Sequence, residues 1–221
     1  MAKRAYRRRF VDRIEDRDPN VMWMEFGDGY VVPYGNGYAA VGGLLTVIGD
    51  ADILLKTRIV NLGQRVDRGR IVAATTPSWL ALRKEVLADP SLMEYFPEWY
   101  RKFEEFVAGG YFVSHWSDVI LSPRSHDGGF DIAARKRGRQ ILDEAKAYKP
   151  SLLVDHQIVR AALGLLIEPK NKNVDQVRVT TTSWFAPMVL PDFDDLIPGK
   201  LTLRDQPQLL RWLRSIGSRS K

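Results

Sequence analysis

The chain has 221 residues, 45% hydrophobic and 27% charged, which excludes a disordered segment and a minimal disulfide-stapled module. That length gives room for one large domain, or one of average size with a small companion. Lysine and arginine number 33 against 27 aspartates and glutamates, a net charge of +6 that fits a polyanionic partner without requiring one. With no cysteine there are no disulfides, thiol nucleophiles or cysteine-ligated metal centres, and His115, His126 and His156 lack the spacing of a metal site. No apolar run approaches the roughly 20 residues that span a bilayer, so no membrane partner is expected. The basic N-terminus has no apolar signal core behind it, and a cytoplasmic location is expected.

In chain order, the arm carrying Arg4 and Arg7 to Arg9 has the composition of a nucleic-acid-binding tail, although solubility explains it as well. Asp28-Gly29 and Asn36-Gly37 lie between apolar runs and signal hairpins. Leu44 to Ile48, Ile53 to Val60 and Arg70 to Ala74 read as further short strands. Residues 20–75 are thus expected to form a small β-rich unit, a partial barrel, with residues 1–76 as an N-terminal region and 77–221 as a second domain. From Ser78, a plausible N-cap, helices and strands alternate. A helix after Pro97 is expected to stop at Gly109-Gly110, with Tyr111 to Leu121 extended. Strands follow around Phe130 to Ala134 and Gln140 to Tyr148, then a helix from Pro150-Ser151 to Ile167, a strand from Val177 to Thr182 and a final helix over Asp205 to Ile216 with Pro207 near its first turn. The order α-α-β-β-β-α-β-α suits a mixed sheet with flanking helices.

Side chains at i and i+2 of a strand share a face, so Glu144 and Lys146 point together. Hairpin pairing can bring Asp131 of the preceding strand beside Glu144. Two carboxylates in contact repel each other unless a divalent cation lies between them, and an oxygen-only donor set selects magnesium or manganese. A lysine beside that ion places a positive charge where a phosphoryl group gathers negative charge, the equipment for metal-assisted hydrolysis of a phosphodiester. The bare spacing also fits two solvated charges on an edge strand. A second acid-x-lysine, Glu168-Pro169-Lys170, carries a proline that argues for a loop.

The segment Leu121-Ser122-Pro123-Arg124-Ser125-His126-Asp127-Gly128-Gly129-Phe130-Asp131-Ile132, followed by Ile141-Leu142-Asp143-Glu144-Ala145-Lys146-Ala147-Tyr148, resembles the Mrr-like restriction endonucleases of the PD-(D/E)XK nuclease superfamily. Phe103 to Ala108, Val159 to Gly164, Val179 to Phe185 and the helix around Gln208 to Leu213 extend the resemblance over about residues 78–215. It implies an α/β fold with a restriction-endonuclease-like αβββαβ core, and metal-dependent cleavage of DNA. It further implies Asp131 and Glu144 as Mg2+ ligands (Mn2+ a possible substitute), Lys146 as the catalytic lysine, and Glu104 as an auxiliary helix acid acting through water. Asp143 departs from the pattern, standing where the family usually has an apolar residue.

Other candidates are read against plainer roles. Arg135, Lys136, Arg137 and Arg139 form a basic connector beside the expected site, either phosphate contacts or a solvated hairpin tip. Arg160 lies on the polar stripe of its helix, where DNA contact and surface solvation compete. His126 suits a turn or an approach to the substrate backbone, Thr180 to Ser183 a strand end or a phosphate site at its amides, and Tyr30, Tyr34 and Tyr38 either cross-strand packing or base stacking. The expected activity is endonucleolytic, with DNA as partner and a homodimer or DNA-induced assembly to cut both strands. The alternatives are a non-cleaving DNA-binding protein on the same fold, or an RNA-directed or structure-specific nuclease.

Overall fold

The computed structural model describes Leu55, residues 57–123 and residues 128–216, together with the backbone of three N-terminal strands. Those strands, β1 (Met24–Phe26), β2 (Gly29–Tyr34) and β3 (Gly37–Val41), form an antiparallel sheet in sequence order. The side chains of Tyr30, Tyr34 and Tyr38, the arginine arm, the run Leu44 to Ile48 and His126 lie outside the described residues.

A second, seven-stranded sheet organises the rest, with spatial order β10 (Leu201–Arg204), β9 (Gln176–Thr181), β8 (Arg139–Lys146), β7 (Ile132–Lys136), β6 (Ser117–Leu121), β5 (Gly69–Thr75) and β4 (Val60–Val66). It begins earlier than the sequence suggests. The hairpin of β4 (Val60–Val66) and β5 (Gly69–Thr75), expected within the N-terminal unit, joins this sheet through β5 and β6 (Ser117–Leu121), with Arg70 opposite Leu121 and Ile71 opposite Ile120. Leu55 and Ile59, expected in a strand, lie before β4 and are buried. Val60 and Val72 share one hydrophobic core with Leu121, so a break at residue 76 would expose apolar surface on both sides. Gly69 allows this approach: its φ is +146°, and a Cβ there would sit 2.0 Å from the carbonyl oxygen of Leu121.

Helix α1 (Pro77–Ala88) starts with proline at its first turn; the expected cap, Ser78, lies inside the helix and is buried. Thr76 takes the cap position, and its hydroxyl donates to the Arg58 carbonyl at 2.7 Å. A 3-10 segment, Pro90–Trp99, leads into α2 (Tyr100–Val113). This helix runs straight through Gly109-Gly110 instead of stopping there. A Cβ on Gly109 would lie 2.4 Å from Trp79 Nε1, and one on Gly110 would lie 2.4 Å from the Trp212 ring. The pair is therefore a seat for two indoles, and the extended segment starts only at Ser117.

Strands β6, β7 (Ile132–Lys136) and β8 (Arg139–Lys146) pair antiparallel. Helix α3 (His156–Gly164) is shorter than expected: Asp155 caps it by accepting the amides of Gln157 and Ile158, while Val154 bridges to Phe185 in extended form. The chain continues through β9 (Gln176–Thr181), α4 (Val189–Asp192), β10 (Leu201–Arg204) and α5 (Gln206–Ser215). Strands β8, β9 and β10 run parallel to one another. Asp205 and Gln208 form a reciprocal capping box at α5. The αβββαβ core is thus α2-β6-β7-β8-α3-β9. Alternation on the strands divides the interior in two: Ile132, Ala134, Ile141 and Ala145 face the aromatic residues of α1 and α2, while Ala133, Leu142, Val177 and Val179 face Val159 of α3. No described helix is long and apolar enough to cross a membrane.

Candidate active site

Asp131 lies one residue before β7, on a backbone locked on both sides. Its carbonyl accepts the Ser122 amide at 2.8 Å, and its amide donates to the Asp143 carbonyl at 3.0 Å. Its side chain reaches across to β8, where Oδ2 accepts the Ala145 amide at 2.8 Å. Glu144 and Lys146 flank that amide on the same face of β8 and form an ion pair. Glu104, one turn into α2, approaches the same place and is ion-paired with Arg101. Arg101 also donates to the Ser122 carbonyl at 2.6 Å, tying the helix acid to the end of β6.

All four predicted site residues line one open cleft of about 340 Å³, together with Tyr100, Ser122, Phe130 and Tyr148. Arg101 and Tyr148 were not singled out from the sequence. Arg101 carries a readable signal, since a cation three residues before Glu104 on a helix meets it on the same face. The neighbouring Glu105 turns away to Lys102 at 2.7 Å, as helical geometry requires of adjacent acids.

The electrostatics follow from three carboxylates crowded near one lysine. Burial, then the charges of Glu144 and Glu104, push Asp131 up to about 8. Burial also raises Glu104, against the opposing pull of Arg101. For Lys146, burial works to lower the pKa, but Glu144 and Asp131 outweigh it and hold the ammonium above the ordinary lysine value. Among the described residues no three acids or histidines are already grouped to hold an ion, because Glu144 turns to Lys146 and Glu104 to Arg101. The donor chemistry nonetheless fits a hard divalent cation: Asp131, Glu144 and Glu104 offer only oxygen ligands, and all three line one cleft.

Asp143 points to the opposite face of β8 and is fully buried. Its Oδ2 accepts hydrogen bonds from Tyr111 at 2.5 Å and Thr180 at 2.9 Å, and it stands 3.8 Å from Arg204. Arg178 donates to the Tyr111 hydroxyl at 3.2 Å and packs over Trp116, while Arg204 packs 4.1 Å from the Trp212 ring centroid. The unusual charge on β8 is therefore one member of a buried network joining α2, β8, β9 and β10.

The basic connector is placed differently from the sequence reading. Arg137 and Gly138, both at positive φ, form the tight tip between Lys136 and Arg139. That tip is at the other end of β8 from Glu144, roughly 17 Å away at the rise of an extended strand. Four cations do not therefore crowd the carboxylates: a two-strand hairpin must put its turn and its open end apart. Lys136 donates to the Ser114 carbonyl and lies over Trp116, and Arg135 is 3.9 Å from Asp118. Arg160 is exposed on α3.

The sheet order, the acid on α2, and the acid and acid-x-lysine on adjacent strands define a restriction-endonuclease-like α/β domain. The chain belongs to the restriction endonuclease family Mrr_cat, whose family model matches residues 99–213. Two solved structures resemble it at low identity. One is the DNA modification-dependent restriction endonuclease AspBHI, with 21% identity, a TM-score of 0.45 and coverage of 66% of this chain and 37% of that one. The other is the MspJI restriction endonuclease in complex with a 27-mer oligonucleotide, with 15% identity, a TM-score of 0.43 and coverage of 77% and 35%. The chain spans little more than a third of the length of either. No curated protein matches it in sequence.

Proposed function

We propose that this chain is an endonuclease that hydrolyses phosphodiester bonds in DNA with a divalent cation, magnesium or manganese. The observation that carries this reading is the convergence of Asp131, Glu144, Lys146 and Glu104 on one open cleft. Asp131 and Glu144 would hold the ion, with Glu104 behind them as a further acid. Such an ion, when bound, supplies a Lewis acid for the phosphoryl oxygens and lowers the pKa of its water. The chain's own part is positional and electrostatic. The Ala145 amide fixes the Asp131 carboxylate against β8. The Lys146 ammonium, kept charged by its two acidic neighbours, stabilises the negative charge that gathers on the phosphoryl oxygens and orients the attacking water.

DNA is the proposed partner, and the net charge of +6 favours its approach. Arg135, Lys136, Arg137, Arg139 and Arg160 would meet the duplex backbone away from the scissile phosphate. Cutting both strands calls for two such sites, so assembly of two chains on DNA is part of the proposal. Incubation with supercoiled plasmid tests it. Magnesium- or manganese-dependent nicking by the wild type, absent from Glu144→Ala and abolished by a chelator, is the expected result. Tight binding with no nicking under either metal would instead favour a non-cleaving DNA-binding protein, and preferential cleavage of RNA or branched substrates would move the assignment to those.

A further inference from the structure

The β4–β5 turn, Asp67-Arg68, abuts the rim of the cleft. A Cβ on Gly69 would lie 3.0 Å from the Ser122 Cα, and Ser122 lines the cleft. Arg68 sits with its guanidinium 5.9 Å from the ring centroid of Phe130, the residue preceding Asp131 and another part of the cleft wall. One of its nitrogens donates to the Lys170 carbonyl, while Nη1 is buried and has no hydrogen-bond partner among the described residues. A guanidinium N–H left in that state is costly, and an anionic oxygen would satisfy it.

The same hairpin places like charges against each other. Arg65 pairs directly across the ladder from Arg70, an arrangement that destabilises an isolated hairpin. Arg70 is offset by donating to the Leu62 and Gly63 carbonyls of the bulge opposite it, at 2.9 to 3.2 Å. Arg65 is exposed and has no such partner among the described residues. Lys170, whose carbonyl Arg68 meets, and Lys172 are both exposed, and Lys170 pairs with Glu168 at 3.2 Å. The basic surface beside the cleft is therefore built by β4–β5 and the 168–172 turn, not by the tip of β7–β8.

We propose that this surface is a clamp for the duplex backbone, with Arg68 and Arg65 taking phosphates that neighbour the one held in the cleft. This rests on the nuclease reading and adds to it where the substrate lies. The test is the fluorescence anisotropy of a labelled mixed-sequence DNA duplex at rising salt, in magnesium, with Glu144→Ala as the non-cutting parent. Arg65→Glu and Arg68→Ala are introduced into that parent, and thermal midpoints are measured alongside. The expected result is binding weakened about tenfold, with a salt slope shallower by about one, for a variant that keeps the parent's midpoint. Arg65→Glu removes no contact in the structure and keeps the test decisive if Arg68→Ala unfolds. The clamp is overturned if neither folded variant changes affinity or slope while the parent binds. If the wild type and the parent alike bind no duplex, the nuclease reading fails and the clamp falls with it.

Discussion

Asp131 Oδ2 accepts the backbone amide of Ala145 at 2.8 Å, and Ala145 is the residue between Glu144 and Lys146. One hydrogen bond thus sets the acid of one segment against the acid–lysine pair of the next. The backbone reinforces it, since the Asp131 amide donates to the Asp143 carbonyl. The side chains are brought together by backbone register, so the site forms as the sheet forms, whatever the cleft contains.

Stability without metal should fall as pH rises from about 5 to 9. The Asp131 carboxyl holds its proton to about 8 in the folded chain, against an ordinary value of 3.8 when unfolded. Between those values the folded state binds more protons than the unfolded one, so alkali favours unfolding. The contribution is complete below the unfolded value and is lost on passing through the folded one. Glu104, also raised, acts in the same direction. Thermal melts in chelator should show this slope. Asp131→Asn should flatten it, and added Mn2+ should recover stability at the alkaline end.

Lys146→Ala should lower the cleavage rate by about 10²–10³ while DNA binding changes far less, because the ammonium is assigned to charge that develops during the reaction. Lys146→Arg keeps the charge and should retain more activity than Lys146→Ala, with a pH–rate profile like that of the wild type. Single-turnover cleavage over pH 6 to 9 checks both.

Removing Asp143 leaves buried Arg204 without its carboxylate, and Asp143→Ala should cost on the order of 3 kcal/mol in urea unfolding. Tyr111→Phe, which removes only the hydroxyl that bonds Asp143, should cost about 1–2 kcal/mol.

Gly109→Ala and Gly110→Ala raise helix propensity and should nonetheless destabilise, each by about 1–3 kcal/mol, because the new methyl meets Trp79 or Trp212. Chemical denaturation decides this. A stabilised variant would show that the indoles can yield.

The order of the core elements and the acids of its site are readable from period, spacing and resemblance because strand alternation is strictly local. Glu144 and Lys146 share a face wherever a strand forms, and Asp131 needed only a hairpin to join them. What the sequence hides depends on contacts between distant residues. Gly109-Gly110 reads as a helix stop until Trp79 and Trp212 are known to lie on it. Arg70 to Ala74 reads as part of an N-terminal unit until Leu121 pairs with Arg70. The connector Arg135 to Arg139 is near Asp131 in sequence, yet the hairpin that unites the acids carries its own tip away from them. Asp143 shows as an odd charge, and its partners Tyr111 and Arg204 lie 32 and 61 residues from it.

The most direct test of the account is a calorimetric titration of Mn2+ into the wild type and into the Asp131→Asn, Glu144→Gln double variant at pH 7.5. The account predicts binding at one shared site by the wild type, and its loss in a double variant that remains folded. Equal binding by both proteins, or none by the wild type with or without duplex DNA, would contradict it.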